Sequence, residues 1–345
     1  MELIPLHHLI QKNYNEKRLN KKHKVFAGSI SYRRRRHFLK LQKTFAESNA
    51  FVTLCILPTM FLFGLSFMFS RIALVSASAF SLLSWRFFTA FLVMNLLRVL
   101  GIWKIDLKGL PVSLLCIGLF HPILYFSFET FGIALTSVAE SGIIISTFPV
   151  VSMILAALFL KEPPTKLQIA SIILSVLGAV VVVLGKDFFS ATFNMLGYFA
   201  LFGAVFSGGL FYVVSRGTTS YSNSAKSYVM MGMGFIAFTA AAAVEHVRNG
   251  TVLEWISLPF RNTSFLLAIL YLGALTSIAG AWVMNFSVAR LGVHRASAFS
   301  GVATVVSVMA GILLMHEPFT WTQGAGSAMI LLGVSGVNQF GQKIQ

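Results

Sequence analysis

The stretch VVSMILAALFLKEPPTKLQIASIILSVLG, residues 150–178, decides the fold because the chain contains it twice. Moved forward by 155 positions without a gap, it falls on VVSVMAGILLMHEPFTWTQGAGSAMILLG, residues 305–333. Each copy joins two apolar runs of helix length through a turn that contains Glu-Pro, at Glu162 and Glu317. Apolar composition alone would not repeat an acidic turn residue at a fixed offset. The echo therefore indicates an internal duplication.

The composition places the chain in a membrane. Of its residues 56% are hydrophobic and only 11% are charged, and the mean hydropathy is +0.79. An ordinary soluble domain has about a quarter of its residues charged. The two cysteines, Cys55 and Cys116, lie inside apolar runs without the spacing of metal ligands, so we expect no disulfide framework, no metal site and no cofactor. The sequence predicts an all-α polytopic membrane protein.

Residues 1–48 form a basic tail, which we predict to be disordered and cytoplasmic. Twelve of the 27 Lys and Arg residues lie before Glu47, and no apolar run of signal-peptide length follows the early basic residues within the tail. One interpretation is a solvated segment that only helps orientation. The other is a polybasic segment on anionic lipid headgroups, worth on the order of 1 kcal/mol per basic residue near the surface. Nucleic-acid binding is not expected, because no stacking aromatic residues are interleaved with the arginine run.

From residue 50 onward, ten apolar runs approach the roughly 20 residues that a helix needs to cross a bilayer. They cover about 50–70, 79–99, 109–128, 138–160, 167–185, 195–215, 227–247, 264–286, 296–315 and 323–340. We group them into two repeats of five helices, 50–185 and 195–340. An odd number of crossings inserts the second repeat upside down relative to the first, as in many secondary transporters. The predicted fold is ten transmembrane helices in two inverted five-helix repeats.

The distribution of basic residues predicts the orientation. After the tail, ten Lys and Arg residues fall on the side of the membrane that holds the N-terminus, and four fall on the opposite side, namely Arg71, Lys186, Arg248 and Arg261. Because basic residues are retained in the cytoplasm, both termini are predicted to be cytoplasmic and the protein to lie in the cell membrane.

The first helices of the two repeats echo each other at a shorter offset. Gly64-Leu65 and Ser70-Arg71 recur 145 positions later as Gly209-Leu210 and Ser215-Arg216. The second half therefore gained ten residues after these helices, and we place them between residues 249 and 262.

These features together resemble a known family. The turns Glu162-Pro163 and Glu317-Pro318, the helices ending in Leu-Gly and the Arg86-Phe87 pair in the second run are similar to those of EamA-type members of the drug/metabolite transporter (DMT) superfamily. The resemblance covers about residues 50–340. It implies a carrier with a central cavity between the halves, which moves a small-molecule substrate by alternating access. Members carry amino acids, other metabolites or drugs and, in distant branches, nucleotide sugars.

Three polar residues lie deep in the predicted spans of the first repeat. An ionisable side chain in the hydrocarbon costs about 2.5–3.5 kcal/mol and by default faces the bundle interior. Arg86 is about 10 Å deep at ~1.5 Å per residue, and His121 lies at a matching depth beside Pro122, with Tyr125 one turn away. We predict that they contact substrate, and a proton-coupling role for His121 is open. The structural alternatives are an Arg that bonds to carbonyls or reaches the headgroups, a packed His and an interfacial Tyr.

Three further candidates complete the predicted cavity. Glu140 lies at its outer mouth with Glu129 nearby, where a zwitterion would find partners for both ends, although a carboxylate in a first helical turn also suits the helix dipole. Trp282 and Asn285 are predicted to line the inner half, their alternatives being an aromatic belt and a helix–helix hydrogen bond. Glu317, like Glu162, is expected to cap the helix that follows it.

The sequence favours a secondary transporter over other classes. A membrane enzyme needs a cluster of catalytic groups and a channel needs a filter or charge rings, and neither pattern occurs. A carrier of nucleotide sugars or other phosphorylated solutes, the nearest alternative, should have several Lys or Arg deep in its spans, where Arg86 stands alone. We expect export of a small zwitterionic or monoanionic solute such as an amino acid.

Overall fold

The computed structural model describes residues 49–103, 105, 112–160, 165–184, 194–218 and 221–339. The predicted basic tail and the first Glu-Pro turn, with Glu162, lie outside these residues. The compact unit considered below begins at Thr53. Within the described ranges every regular element is a helix, which confirms the predicted all-α class.

In the described residues of the first repeat there are seven α-helices, which lie within or overlap the first five predicted runs. They are α1 (Asn49–Leu74), α2 (Ala79–Val99), α3 (Val112–Gly118), α4 (Tyr125–Leu135), α5 (Val138–Ile145), α6 (Phe148–Leu160) and α7 (Lys166–Leu184). A wider, π-helical segment, Leu119–Leu124, joins α3 to α4. The third span therefore continues to Leu135 and not to 128, because the apolar run resumes after Glu129.

The second repeat has a corresponding series in which one helix is added, while the helix Ile278–Ala298 is continuous over the positions that α4 and α5 occupy in the first repeat. Its helices are α8 (Met195–Arg216), α9 (Asn223–Asn249), α10 (Val252–Arg261), α11 (Thr263–Ile269), α12 (Ile278–Ala298), α13 (Ser300–Leu313) and α14 (Trp321–Gln339). A π-helical segment, Leu270–Ser277, again interrupts the third span of the repeat. The addition is α10, a ten-residue helix inside the segment that was expected to hold the extra residues.

Seven helical stretches in the described part of the chain are long and apolar enough to cross a membrane. They are Leu54–Leu74, Ala79–Val99, Leu114–Leu135, Val138–Leu160, Met195–Arg216, Asn223–Asn249 and Thr263–Arg290. Two of the other predicted runs are shorter apolar helices, Lys166–Val182 and Ser300–Leu313, and the tenth is α14. In the described residues each of the ten predicted runs contains helix, but only seven stretches meet the length and composition of a span, so the count of ten spans is not exactly confirmed.

The packing of α7 against α14 shows how the two repeats are related. A methyl group added at Gly178 would lie 2.7 Å from the carbonyl oxygen of Gly326, and one added at Gly333 would lie 2.6 Å from that of Ser171. Ser171 and Gly178 coincide with Gly326 and Gly333 at the offset of 155. The same contact therefore occurs twice with the repeats exchanged, as two-fold pseudosymmetry requires.

Among the described residues, the largest buried apolar cluster contains side chains of both repeats. It includes Leu83, Phe87, Ile117, Phe126, Phe148, Phe211, Phe238 and Met284. Phe87 contacts Phe126 and Phe238 at centroid distances of 5.3 Å, so side chains from α2, α4 and α9 meet there. The candidate site lies within this cluster.

Candidate functional site

A cavity of about 80 Å³ lies between the two repeats. Its wall is formed by Met60, Phe63, Ser66, Phe67, Arg86, His121, Tyr125, Phe126, Glu129, Gly142, Ile145, Phe148, Phe211, Tyr212, Met284, Ser300, Ala303 and Thr304. Since one water needs roughly 10–15 Å³ of such space, the cavity has room for several waters or a small solute. Its wall is mostly aromatic and aliphatic, with a few polar groups that converge on one side, which is the usual character of a small-molecule site.

Arg86 supplies the positive charge of the cavity wall. It is only 2% exposed. Its Nε donates a hydrogen bond to Ser277 Oγ at 3.0 Å and its Nη2 donates one to Thr276 Oγ1 at 3.4 Å. Its guanidinium carbon lies 4.0 Å from the ring centroid of Phe126, a cation–π contact. The guanidinium therefore points into the protein, onto hydroxyls of the opposite repeat, and not toward the headgroups.

Glu129 supplies the negative charge. It is 5% exposed, and its Oε2 lies 4.0 Å from Arg86 Nη1, the one ion pair found among the described residues. Its Oε1 accepts a hydrogen bond from the Tyr125 hydroxyl at 2.9 Å, one helical turn away on α4. Sequence reasoning placed Glu129 at the outer mouth, beside a loop and near Glu140, and not within the third span. The apolar run FGIAL, residues 131–135, was the signal that the span continues past it.

His121 lies on the same wall, at a break in the third span. Its φ and ψ of −146° and 109° are not helical. The ring stacks on Tyr125 at 4.9 Å and also contacts Phe126 and Phe211. Its buried Nδ1 has no hydrogen-bond partner among the described residues. Arg86, His121 and Tyr125, predicted from sequence, are thus brought together with Glu129.

The structure places Glu140 away from the described cavity wall. It is fully buried in a capping box, where its Oε2 accepts a hydrogen bond from the Ser137 backbone N–H at 3.0 Å. Its Oε1 accepts from the Tyr198 hydroxyl at 2.9 Å and from Gln323 Nε2 at 3.3 Å. The carboxylate is therefore held in the scaffold and does not form part of the cavity wall. The acid on the wall is Glu129.

Trp282 and Asn285 also lie away from the cavity wall. Asn285 Oδ1 accepts a hydrogen bond from Ser215 Oγ at 3.0 Å, which joins α12 to α8, and its Nδ2 donates to Ala281 O at 2.8 Å. Trp282 stacks on Phe286 with a centroid distance of 5.3 Å. The residue of this helix that reaches the cavity is Met284. Successive residues of a helix point about 100° apart around its axis. Knowing that Trp282, Met284 and Asn285 belong to one span therefore did not show which of these side chains faces the cavity.

Glu317 has a capping role, but for a different helix than expected. Its two carboxylate oxygens accept hydrogen bonds from the backbone N–H groups of Val138 at 2.8 Å and Ala139 at 3.0 Å. These groups begin α5 in the other repeat. The helix that follows Glu317 is capped by Thr320 and Gln323. The turn that contains Glu317 in the second repeat thus caps the N-terminus of α5 in the first repeat.

The arrangement suits recognition more than covalent chemistry. Opposite charges 4.0 Å apart lie on the wall of a mainly apolar cavity, supported by aromatic rings. Among the described residues no group of three His, Cys, Asp or Glu could hold a metal ion. A solute with one positive and one negative end would find a partner for each.

Comparisons with known proteins agree with this architecture. The sequence model of the EamA-like transporter family matches residues 50–184 and 195–339. The uncharacterized transporter YcxC of Bacillus subtilis (strain 168) is 34% identical over 280 residues, which cover 81% of this chain and 89% of the relative. An uncharacterized transporter of Archaeoglobus fulgidus is 26% identical over 282 residues, 80% of this chain and 94% of the relative. A crystal structure that covers 86% of this chain and 100% of its own aligns with a TM-score of 0.61 at 18% identity, which supports the fold alone. The chain is therefore a multi-pass membrane transporter that belongs to the EamA-like transporter family of the DMT superfamily.

Proposed function

We propose that the protein exports a small zwitterionic or monoanionic solute, such as an amino acid, across the cell membrane by alternating access. The observation that carries the proposal is the Arg86–Glu129 pair, separated by 4.0 Å on the wall of a cavity between the two repeats. A substrate carboxylate would take the place of Glu129 beside the guanidinium, and a substrate amine would take the place of Arg86 beside the carboxylate.

The geometry of the pair favours such an exchange. A charge-assisted hydrogen bond between nitrogen and oxygen is about 2.7–2.9 Å long, so a separation of 4.0 Å leaves both ions short of their best contact. A bound zwitterion would form two close contacts in place of one long one. A monoanion would pair with Arg86 alone and leave the buried Glu129 carboxylate without a cation, so within the proposed class the pair favours a zwitterion.

The contacts of Arg86 also suit a transport cycle. The guanidinium belongs to the first repeat, but its hydrogen bonds go to Ser277 and Thr276 of the second. Hydroxyls are neutral partners, and these two also donate to Leu272 O within their own span. The repeats would therefore separate at this point without leaving an unpaired ion in the second half.

We further propose that His121 takes part in proton coupling. Its Nδ1 is buried at the cavity wall and has no partner among the described residues, so it has a position free for a proton. A pH gradient should then drive accumulation in vesicles of the wild-type protein. His121→Ala should abolish the gradient effect while exchange at equal pH persists. An unchanged response in this variant would remove the coupling proposal and leave the carrier proposal standing.

The orientation and the tail complete the proposal. We propose from the positive-inside count that both termini are cytoplasmic, and that the basic residues of the 1–48 segment are attracted to anionic lipid headgroups on that side. Protease treatment of right-side-out and inverted vesicles tests the side on which the tail lies. Cleavage from the outside of right-side-out vesicles would contradict it.

A phosphorylated or nucleotide-linked substrate is less compatible with the cavity. Such a solute needs several Lys or Arg side chains, and in the described part of the chain the cavity wall holds Arg86 as its single Lys or Arg. Transport of a nucleotide sugar would therefore require cations outside the described wall.

The test is a substrate panel on purified protein in proteoliposomes. The panel contains labelled amino acids, monocarboxylates, amines and a nucleotide sugar. Arg86→Ala and Glu129→Gln should each slow zwitterion transport at least about tenfold, because a lost charged hydrogen bond costs about 1.5–3 kcal/mol. Arg98→Ala is the matched control, since Arg98 is exposed near the end of the same helix. Wild-type rates in Arg86→Ala, or transport restricted to nucleotide sugars, would overturn the proposal.

A further inference from the structure

The short helix α10 presents an apolar stripe to its surroundings. Leu253, Ile256 and Phe260 are 81%, 49% and 84% exposed. Their spacing of three and four residues places them on one face of the helix. Three large apolar side chains on one exposed face form a contiguous apolar patch. Such a patch usually contacts a membrane or a partner and not water alone.

The opposite face of α10 is firmly docked on the protein. Trp255 Nε1 donates a hydrogen bond to Ser84 Oγ at 3.0 Å, and Trp85 Nε1 donates one to the Trp255 carbonyl oxygen at 3.1 Å. Leu258 packs against the apolar cluster that contains Phe265. Because α10 is bound to the protein through this opposite face, the exposed stripe is not its protein-facing side.

The turn before α10 fixes its direction. Gly250 has a φ of +69°, in the left-handed region, and ends α9. The His246 ring bridges Thr251 Oγ1 through Nδ1 and Ser81 Oγ through Nε2, both at 2.6 Å. It also lies parallel to Trp255, with a centroid distance of 5.5 Å. The stripe is held in one orientation by contacts on both sides of the turn.

The third face of α10 is polar. Glu254 and Arg261 are exposed, with Ser257 between them on the same side. The boundary between the apolar and polar faces runs along the helix axis. Ten residues span about 15 Å, half of the roughly 30 Å thickness of the hydrocarbon, so α10 is too short to cross it.

We propose that α10 lies in the plane of the membrane surface, with its apolar stripe at the boundary between acyl chains and headgroups and its polar face toward water. The bilayer is the surface that we propose to cover the stripe, because the two spans that flank α10 in sequence also expose large apolar side chains close to it along the chain. Val247, in α9, is 69% exposed, and Leu267, in α11, is 58% exposed. An amphipathic helix between two spans with such surfaces belongs at the interface.

The test is the accessibility of nitroxide labels in phospholipid vesicles. Single cysteines are introduced, in a chain carrying Cys55→Ala and Cys116→Ala, at the apolar positions 253, 256 and 260 and at the polar positions 254, 257 and 261. Collisions with oxygen report the hydrocarbon, and collisions with a water-soluble nickel chelate report water. We expect oxygen to prevail at the apolar positions and the nickel chelate to prevail at the polar ones.

Two results would overturn the proposal. Nickel collisions that prevail at all six positions would place the stripe in water, and shielding of the apolar positions from both reagents would indicate a second protein copy. Phe260→Trp provides an independent measurement that needs no cysteine replacement. Brominated acyl chains should quench the added fluorescence, whereas quenching no greater than in the wild type would contradict the interfacial position.

Discussion

Replacing Arg86 by methionine should destabilise the protein strongly. The change removes the ion pair with Glu129, two hydrogen bonds and the contact with the Phe126 ring, while methionine fills much of the same volume. The Glu129 carboxylate, 5% exposed, then has no cation beside it. Removing one partner of a buried ion pair costs about 3–5 kcal/mol, and we expect a loss of this size in the free energy of unfolding.

A second substitution should recover much of this loss. Glu129→Gln removes the uncompensated charge and keeps an oxygen that can accept the Tyr125 hydroxyl hydrogen bond. Replacing a buried ion pair by neutral groups is often close to neutral in stability. The coupling energy of the double-mutant cycle should therefore be at least about 2 kcal/mol.

The assay is equilibrium unfolding of the wild type, both single variants and the double variant in mixed micelles. Helix content is followed as the fraction of denaturing detergent rises. Stability losses of the two single variants that sum to that of the double variant within about 0.5 kcal/mol would refute the reasoning. Substitutions at sites that do not interact are additive in this way. The charges would then not interact in the folded protein.

Two further predictions concern the scaffold. Gly178→Ala and Gly333→Ala should each lower the free energy of unfolding by about 1–3 kcal/mol, because each added methyl meets a backbone oxygen of the other repeat. Gly217→Ala, whose methyl would lie 3.5 Å from its nearest neighbour, should be tolerated, and equal tolerance at all three positions in thermal unfolding would contradict the packing. Glu317→Gln should cost about 1–2 kcal/mol through the weakened cap of α5, with unchanged substrate affinity. The exposed Glu254→Gln is its control, and a stability equal to that control would argue against the cap.

The fold could be predicted to a large extent from the sequence, for a physical reason. In a bilayer the backbone must satisfy its own hydrogen bonds, so an apolar run of span length has few structures open to it. The echo between residues 150–178 and 305–333 then implied the repeat. The helix that Glu317 caps could not be predicted, because that contact joins turns and helices far apart in sequence.

The candidate site could be predicted only in part. Arg86 and His121 were identifiable because polar groups inside apolar runs are costly and usually face the interior. Glu129 was expected at the outer mouth because its charge was taken to end the span. For Asn285 the sequence left a cavity position and a helix–helix hydrogen bond open, and the structure has the hydrogen bond. Depth along a helix follows from the sequence, whereas the direction in which a side chain points depends on the packing of the other helices.

We propose above that Arg86 and Glu129 recognise the two ends of the substrate. The most direct measurement compares a transported amino acid with its amide, which lacks the carboxylate, and with its deaminated acid, which lacks the amine, as inhibitors of uptake into proteoliposomes. In the wild type each analogue should bind at least about tenfold more weakly. In Arg86→Ala the penalty for the missing carboxylate should disappear and the penalty for the missing amine should remain, and Glu129→Gln should show the reverse. Both penalties persisting in both variants would contradict the account.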